Sequence, residues 1–116
     1  MLRMKDIVHS VLGTEYEVLF GAREEIHMSE ENMGECKVYA KEILVCTDRG
    51  DCDEGENIVR VQEIVAHEFF HAYANEAGLD LDPDTEERVA CFFMKTWRKM
   101  TNSILAVLDE SGFLDN

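Results

Sequence analysis

The pentapeptide His67-Glu68-Phe69-Phe70-His71 constrains this chain more than any other stretch. Histidines four apart on a helix share one face, about a turn from each other, so both imidazoles reach a single metal ion. Ile64-Val65-Ala66 precede the pentapeptide. Phe69, Phe70, Ala72, Tyr73 and Ala74 continue a helix that is apolar over much of its circumference. Such a helix is buried. A buried helix carrying His, Glu and His must give every polar group a partner, and a metal supplies one. The competing reading, two solvated histidines on a surface helix, leaves the apolar surroundings unexplained.

The glutamate between the histidines projects toward the open side of such an ion, where it can take a proton from water. This is the HExxH arrangement of zinc hydrolases. Catalytic zinc uses three protein ligands and keeps one position for water. No histidine follows His71, so the third ligand is expected to be Asp, Glu or Cys. The start of the last helix offers Glu86 and Glu87. Its apolar stripe reads Val89, Phe93, Trp97, Met100 and Ile104, and Glu86 continues that stripe inward. Glu87 is rotated by about a hundred degrees toward the charged side. Glu86 is therefore the expected ligand, with Glu87 the alternative. The helix dipole would favour acids at this end in any case, which accounts for two acids but not for one on the apolar face.

At 116 residues the chain is expected to form one domain spanning 1–116. No apolar run approaches a membrane span, and the N-terminus lacks a signal-peptide core, so a cytoplasmic location is expected. Eleven Lys and Arg against 25 Asp and Glu give a net charge of −14, which argues against direct nucleic-acid binding. Of the four cysteines, Cys91 lies in an apolar helical stretch and reads as core. Cys46 and Cys52 bracket an acidic loop and, with Cys36, form a weaker candidate for a second metal site, since their spacing matches no standard zinc knuckle.

Along the chain, Leu2, Met4, Ile7, Val8, Val11 and Leu12 are close to helical spacing and predict an N-terminal helix ending at Gly13. Tyr16 to Phe20 reads as a strand, and Glu35 to Tyr39 and Glu42 to Thr47 as a hairpin. In the last, Ile43, Val45 and Thr47 alternate with Leu44 and Cys46, apolar on both sides, as in a strand covered on both faces. Asp48 to Asn57 is a loop whose acids lack calcium-loop spacing. Asn57 is the expected cap of a helix from about Ile58 to Ala77, stopped by Gly78. Asp84 or Thr85 caps the last helix, which runs to about Leu108. The order implies an α+β domain: a three-stranded, mostly antiparallel sheet packed on the motif helix and a long C-terminal helix, with an N-terminal helix.

His67 to His71 followed by Ala72-Tyr73-Ala74-Asn75-Glu76-Ala77-Gly78-Leu79 resembles the short ImmA/IrrE-type metallopeptidase-like proteins of phages and mobile elements. There, a second helix opens with a Glu-x-x-(Ala or Val)-(Asn or Asp)-x-Phe-Ala pattern. Here Glu86-Glu87-Arg88-Val89-Ala90-Cys91-Phe92-Phe93 fits at Glu86, Val89 and Phe92 and departs at Ala90 and Phe93. The resemblance covers about Val61 to Phe93.

It implies a small zincin-like domain with one zinc ion held by His67, His71 and Glu86, and Glu68 as general base. It implies a protein or peptide substrate, specifically a regulatory protein inside a bacterial or phage-infected cell. The peptide is implied to pair along an edge strand near Ile43 to Cys46. Tyr39, Tyr73 and His27 are candidate oxyanion donors, each with a structural role as the simpler reading. No membrane or direct nucleic-acid partner is expected, and the oligomeric state stays open. The alternative is a non-catalytic, zinc-stabilised interaction module of the same fold, in which Glu68 only supports the site.

Overall fold

The computed structural model describes residues 5–28, 32–48, 50 and 52–114. Four strands precede two helices: β1 (Lys5–Val11), β2 (Thr14–Gly21), β3 (Gly34–Lys37), β4 (Glu42–Cys46), α1 (Glu54–Glu76) and α2 (Pro83–Ser111). The strands form one mixed sheet in the order β1-β2-β4-β3. The two outer pairings are antiparallel and the central β2–β4 pairing is parallel. The fold is α+β, but the sheet has four strands rather than three.

The fourth strand replaces the expected N-terminal helix, of which Leu2 and Met4 lie outside the described residues. Val11 pairs with Thr14, leaving a two-residue loop of Leu12 and Gly13. Both have positive φ, 49° and 90°, the backbone that a type I′ hairpin loop requires. That loop aligns β1 with β2 along its whole length, from Lys5↔Phe20 to Val11↔Thr14. The ladder outweighs helix-like spacing in a segment rich in β-branched Ile7, Val8 and Val11.

The central strands are covered on both faces, as the composition of β4 predicts. Ile43 and Val45 join Val11, Tyr16 and Val18 against Ile64 and Ala72 of α1. Leu44 and Cys46 face the other way, onto Ile26 and Met28 of the segment after β2. Burying an aliphatic side chain as fully as Ile43 contributes about 1.5–3 kcal/mol. Cys36 packs on the α1 side and Cys46 on the opposite side, so the sheet separates two of the three thiols suggested for a second metal.

Asp53 caps α1. It accepts from the Glu56 amide at 2.8 Å, and its own amide donates to the Glu56 carboxylate at 3.1 Å, a reciprocal capping box. The helix thus starts earlier than expected. Asn57, the expected cap, is buried inside the first turn and donates to the Thr47 carbonyl at 3.4 Å. Gly78, with φ 69°, follows the last turn. Asp82 caps α2 through the Thr85 amide, Pro83 opens it, and left-handed Gly112 closes it beyond Leu108.

The helices run antiparallel: Glu63 pairs with Lys95, Phe70 meets Phe93, and His71 meets Glu86. The face of α2 turned to α1 carries buried Ala90 with half-buried Phe93, Met94 and Trp97. Val89, Met100 and Ile104 of the expected stripe are exposed, as is Cys91, which sequence alone assigned to the core. Beyond Trp97, α2 is exposed at every position but Leu108, so apolar spacing there does not report burial.

Candidate metal centre

Two faces of α1 build the site. Ile64, Glu68 and Ala72 recur at four-residue intervals toward the sheet, while His67 and His71 form the neighbouring row toward α2. Glu68 therefore continues an apolar stripe and is only 7% exposed. It fits because Gly34 of β3 has no side chain. A Cβ there would lie 2.5 Å from Ile64 Cγ2 and 2.9 Å from Glu68 Oε2. Burial pushes the Glu68 carboxyl up to about 7, with Glu87 and Glu35 acting in the same direction and His71 opposing them.

The two histidines face each other edge to face, with Nε2 atoms 3.4 Å apart. Glu87 Oε1 completes a triangle, 3.3 Å from His67 Nε2 and 3.2 Å from His71 Nε2. Ligands about 2.0–2.1 Å from a tetrahedral zinc stand roughly 3.3 Å apart, so these three atoms have the spacing of one coordination face. The donor set, two imidazoles and a carboxylate, is also one that zinc accepts.

Glu86 lies elsewhere. Its Oε2 is 2.6 Å from His71 Nδ1, on the opposite edge of that ring. With Nδ1–H donating to Glu86, the lone pair of Nε2 points toward His67 and Glu87. Glu86 is the more buried acid, at 26% side-chain exposure against 56% for Glu87. Helical phase thus ranks burial correctly, while the acid at the Nε2 edges is the exposed one. His67 Nδ1 is buried and has no hydrogen-bond partner among the described residues.

Cys91 enters the site from the following turn of α2. Its Sγ is 3.5 Å from Glu87 Oε2, and ligand atoms of His67, Glu87 and Cys91 lie within 4.8 Å of one another. The stretch Glu87 to Cys91 offers an i, i+4 pair that could have signalled this from sequence alone.

An open cleft of about 350 Å³ surrounds the histidines, with Glu35, Cys36 and Val38 on its sheet side. A second cleft of about 330 Å³ shares His67 and Glu68 and is lined further by Met33, Ile64 and Met94. Neither is lined by Tyr39, Tyr73 or His27; Tyr39 is almost wholly exposed. Burial raises the Cys36 thiol to about 12, helped by the charges of Glu68 and Glu86, so it remains protonated. Phe69 packs against the sheet-side core and near His9, and Phe70 packs on Phe93.

β4 is an interior strand, bonded to β2 and β3, so Ile43 to Cys46 cannot be the edge that receives a peptide. The edge next to the cleft is β3, which carries Gly34, Glu35 and Cys36.

No protein family, curated protein or solved structure matches the chain. No helix among the described residues is long and apolar enough to cross a membrane.

Proposed function

We propose that this protein is a zinc-dependent metallopeptidase-like hydrolase acting on a peptide bond in a specific intracellular regulatory protein. The observation that carries the reading is the triangle of His67 Nε2, His71 Nε2 and Glu87 Oε1, with sides of 3.2–3.4 Å. In this reading Glu87, not Glu86, is the third ligand, and Glu86 orients His71 through Nδ1. The resemblance noted above holds equally well under that assignment. Begun at Glu87, the second-helix pattern reads Glu87-Arg88-Val89-Ala90-Cys91-Phe92-Phe93-Met94, fitting at Glu87, Ala90 and Phe93 and departing at Cys91 and Met94. Cys91 then stands where Asn or Asp is usual.

Zinc supplies Lewis acidity, acidifying water and polarising a carbonyl. The chain's own groups do the rest. Glu68, beside the histidines and held against Gly34, takes a proton from the attacking water and returns it to the leaving amine. The outer edge of β3 offers backbone donors and acceptors to an extended peptide. The cleft lined by Met33, Ile64 and Met94 receives an apolar side chain next to the scissile bond.

Comparing the proteomes of cells that express the wild type or Glu68→Gln tests the reading. A protein cleaved only by the wild type, with zinc content equal in both, is the expected result. Equal cleavage by both removes Glu68 as base. No cleavage by either, with zinc bound, favours the zinc-stabilised interaction module.

A further inference from the structure

Cys91 is not used in the reading above, and it lies one helical turn from Glu87 on the same face of α2. We infer that Cys91 is a fourth protein ligand of this centre. Two imidazoles, a carboxylate and a thiolate then form a set that takes a thiophilic divalent cation, the sulfur competing with water for the remaining position. The inference rests on the metal reading just proposed.

Its geometry is distinct from the triangle of the other three. Glu87 turns Oε1 toward both histidines, while Oε2 is 3.2 Å from His67 Nε2 and 3.5 Å from Cys91 Sγ. A thiolate about 2.3 Å and an imidazole about 2.0–2.1 Å from one ion stand roughly 3.6 Å apart in a tetrahedron. Sγ, a Glu87 oxygen and a His67 ring nitrogen lie within 4.8 Å of one another, a group that does not include His71, so the sulfur has to move closer to both rings. Cys91 is exposed, and its sulfur can move by rotation about a single bond.

The chemistry sets the preference. Thiolate favours zinc, cadmium and cobalt over magnesium and calcium. As the sulfur–metal bond forms, the thiol proton passes to solvent and no electron is transferred. With Sγ bound, all four tetrahedral positions belong to the chain. Water would then have to displace the sulfur, which would take up a proton from solvent, or add as a fifth ligand.

Cobalt(II) titration of the metal-free protein, followed by absorption, tests this without reference to activity. The wild type is expected to develop a strong thiolate-to-cobalt charge-transfer band in the near ultraviolet beside visible bands of a tetrahedral site. Cys91→Ser keeps the visible bands and loses the ultraviolet one. Loss of outer partners already weakens metal binding roughly 10–100-fold, so cadmium affinity of Cys91→Ser falls at least that much. An ultraviolet band absent from the wild type, or persisting in Cys91→Ser, overturns the thiolate ligand while leaving His67, His71 and Glu87 in place. A wild type that binds no cobalt overturns the metal reading itself.

Discussion

Glu86 Oε2 lies 2.6 Å from His71 Nδ1, while Glu87 Oε1 lies 3.2 Å from Nε2 of the same ring. Two consecutive acids thus bracket one imidazole, and each faces a different nitrogen. A ring nitrogen that donates to a carboxylate leaves the other as acceptor, so the pair sets both the tautomer and the direction of the free lone pair.

Their substitutions should therefore differ in size. Glu87→Ala removes a direct ligand and is expected to weaken zinc binding in a chelator competition by more than loss of an outer partner does. Glu86→Ala leaves every ligand atom in place, losing only the group that orients His71, and should weaken zinc by roughly 10–100-fold. The reverse order, with Glu86→Ala the more damaging, would restore Glu86 as the ligand.

Gly34 is required for the close approach of β3 to α1. In Gly34→Ala, the new methyl would meet Ile64 Cγ2 at 2.5 Å and Glu68 Oε2 at 2.9 Å. Relief by shifting packed groups costs about 1–3 kcal/mol, read as a lower urea midpoint with little change in slope. Activity should fall as well, because Glu68 is one of the groups that moves. A variant as stable as the wild type would show that β3 gives way freely.

Glu76 Oε2 accepts from the Tyr16 hydroxyl at 2.7 Å and pairs with Lys41 Nζ at 2.8 Å, tying the end of α1 to the sheet. The bonds from Lys41 and Tyr16 hold the Glu76 carboxyl at about 2, below its ordinary 4.5. A lowered carboxyl stabilises the fold fully above its unfolded value, and that contribution is lost as pH falls through the folded one. The stability advantage of wild type over Glu76→Gln, measured by urea unfolding of metal-free protein, should therefore shrink between pH 4.5 and about 2. An advantage independent of pH in that window would contradict the ion pair.

Asp53 closes the first turn of α1 through its bond to the Glu56 amide at 2.8 Å. Asp53→Ala is expected to cost about 1 kcal/mol, within the range for lost N-caps, and to lower the melting temperature. Unchanged melting would mean that the turn is held by Asn57 and its bond to Thr47 instead.

The parts of the fold legible in the sequence are those set by local patterning. The apolar residues around His67 to His71 mark α1, and alternation in Ile43 to Cys46 marks a strand covered on both faces. Gly78 marks a helix end. β1 was illegible because its turn is Leu12-Gly13, and leucine is an unusual occupant of positive φ. Nothing local separates a helix-like spacing from a strand whose partner begins two residues later.

His67-Glu68-Phe69-Phe70-His71 alone determined that two imidazoles share one helical face and that a carboxylate lies beside them. That follows from helical periodicity within one segment. Tertiary structure decided which acid meets them, because this depends on how α2 is rotated against α1. Helical phase within α2 cannot report that angle: it identified Glu86 as the more buried acid, and the docking of the helices placed exposed Glu87 between the two Nε2 atoms. The same docking brought Cys91 to the site, and strand order made β3 rather than β4 the open edge beside it.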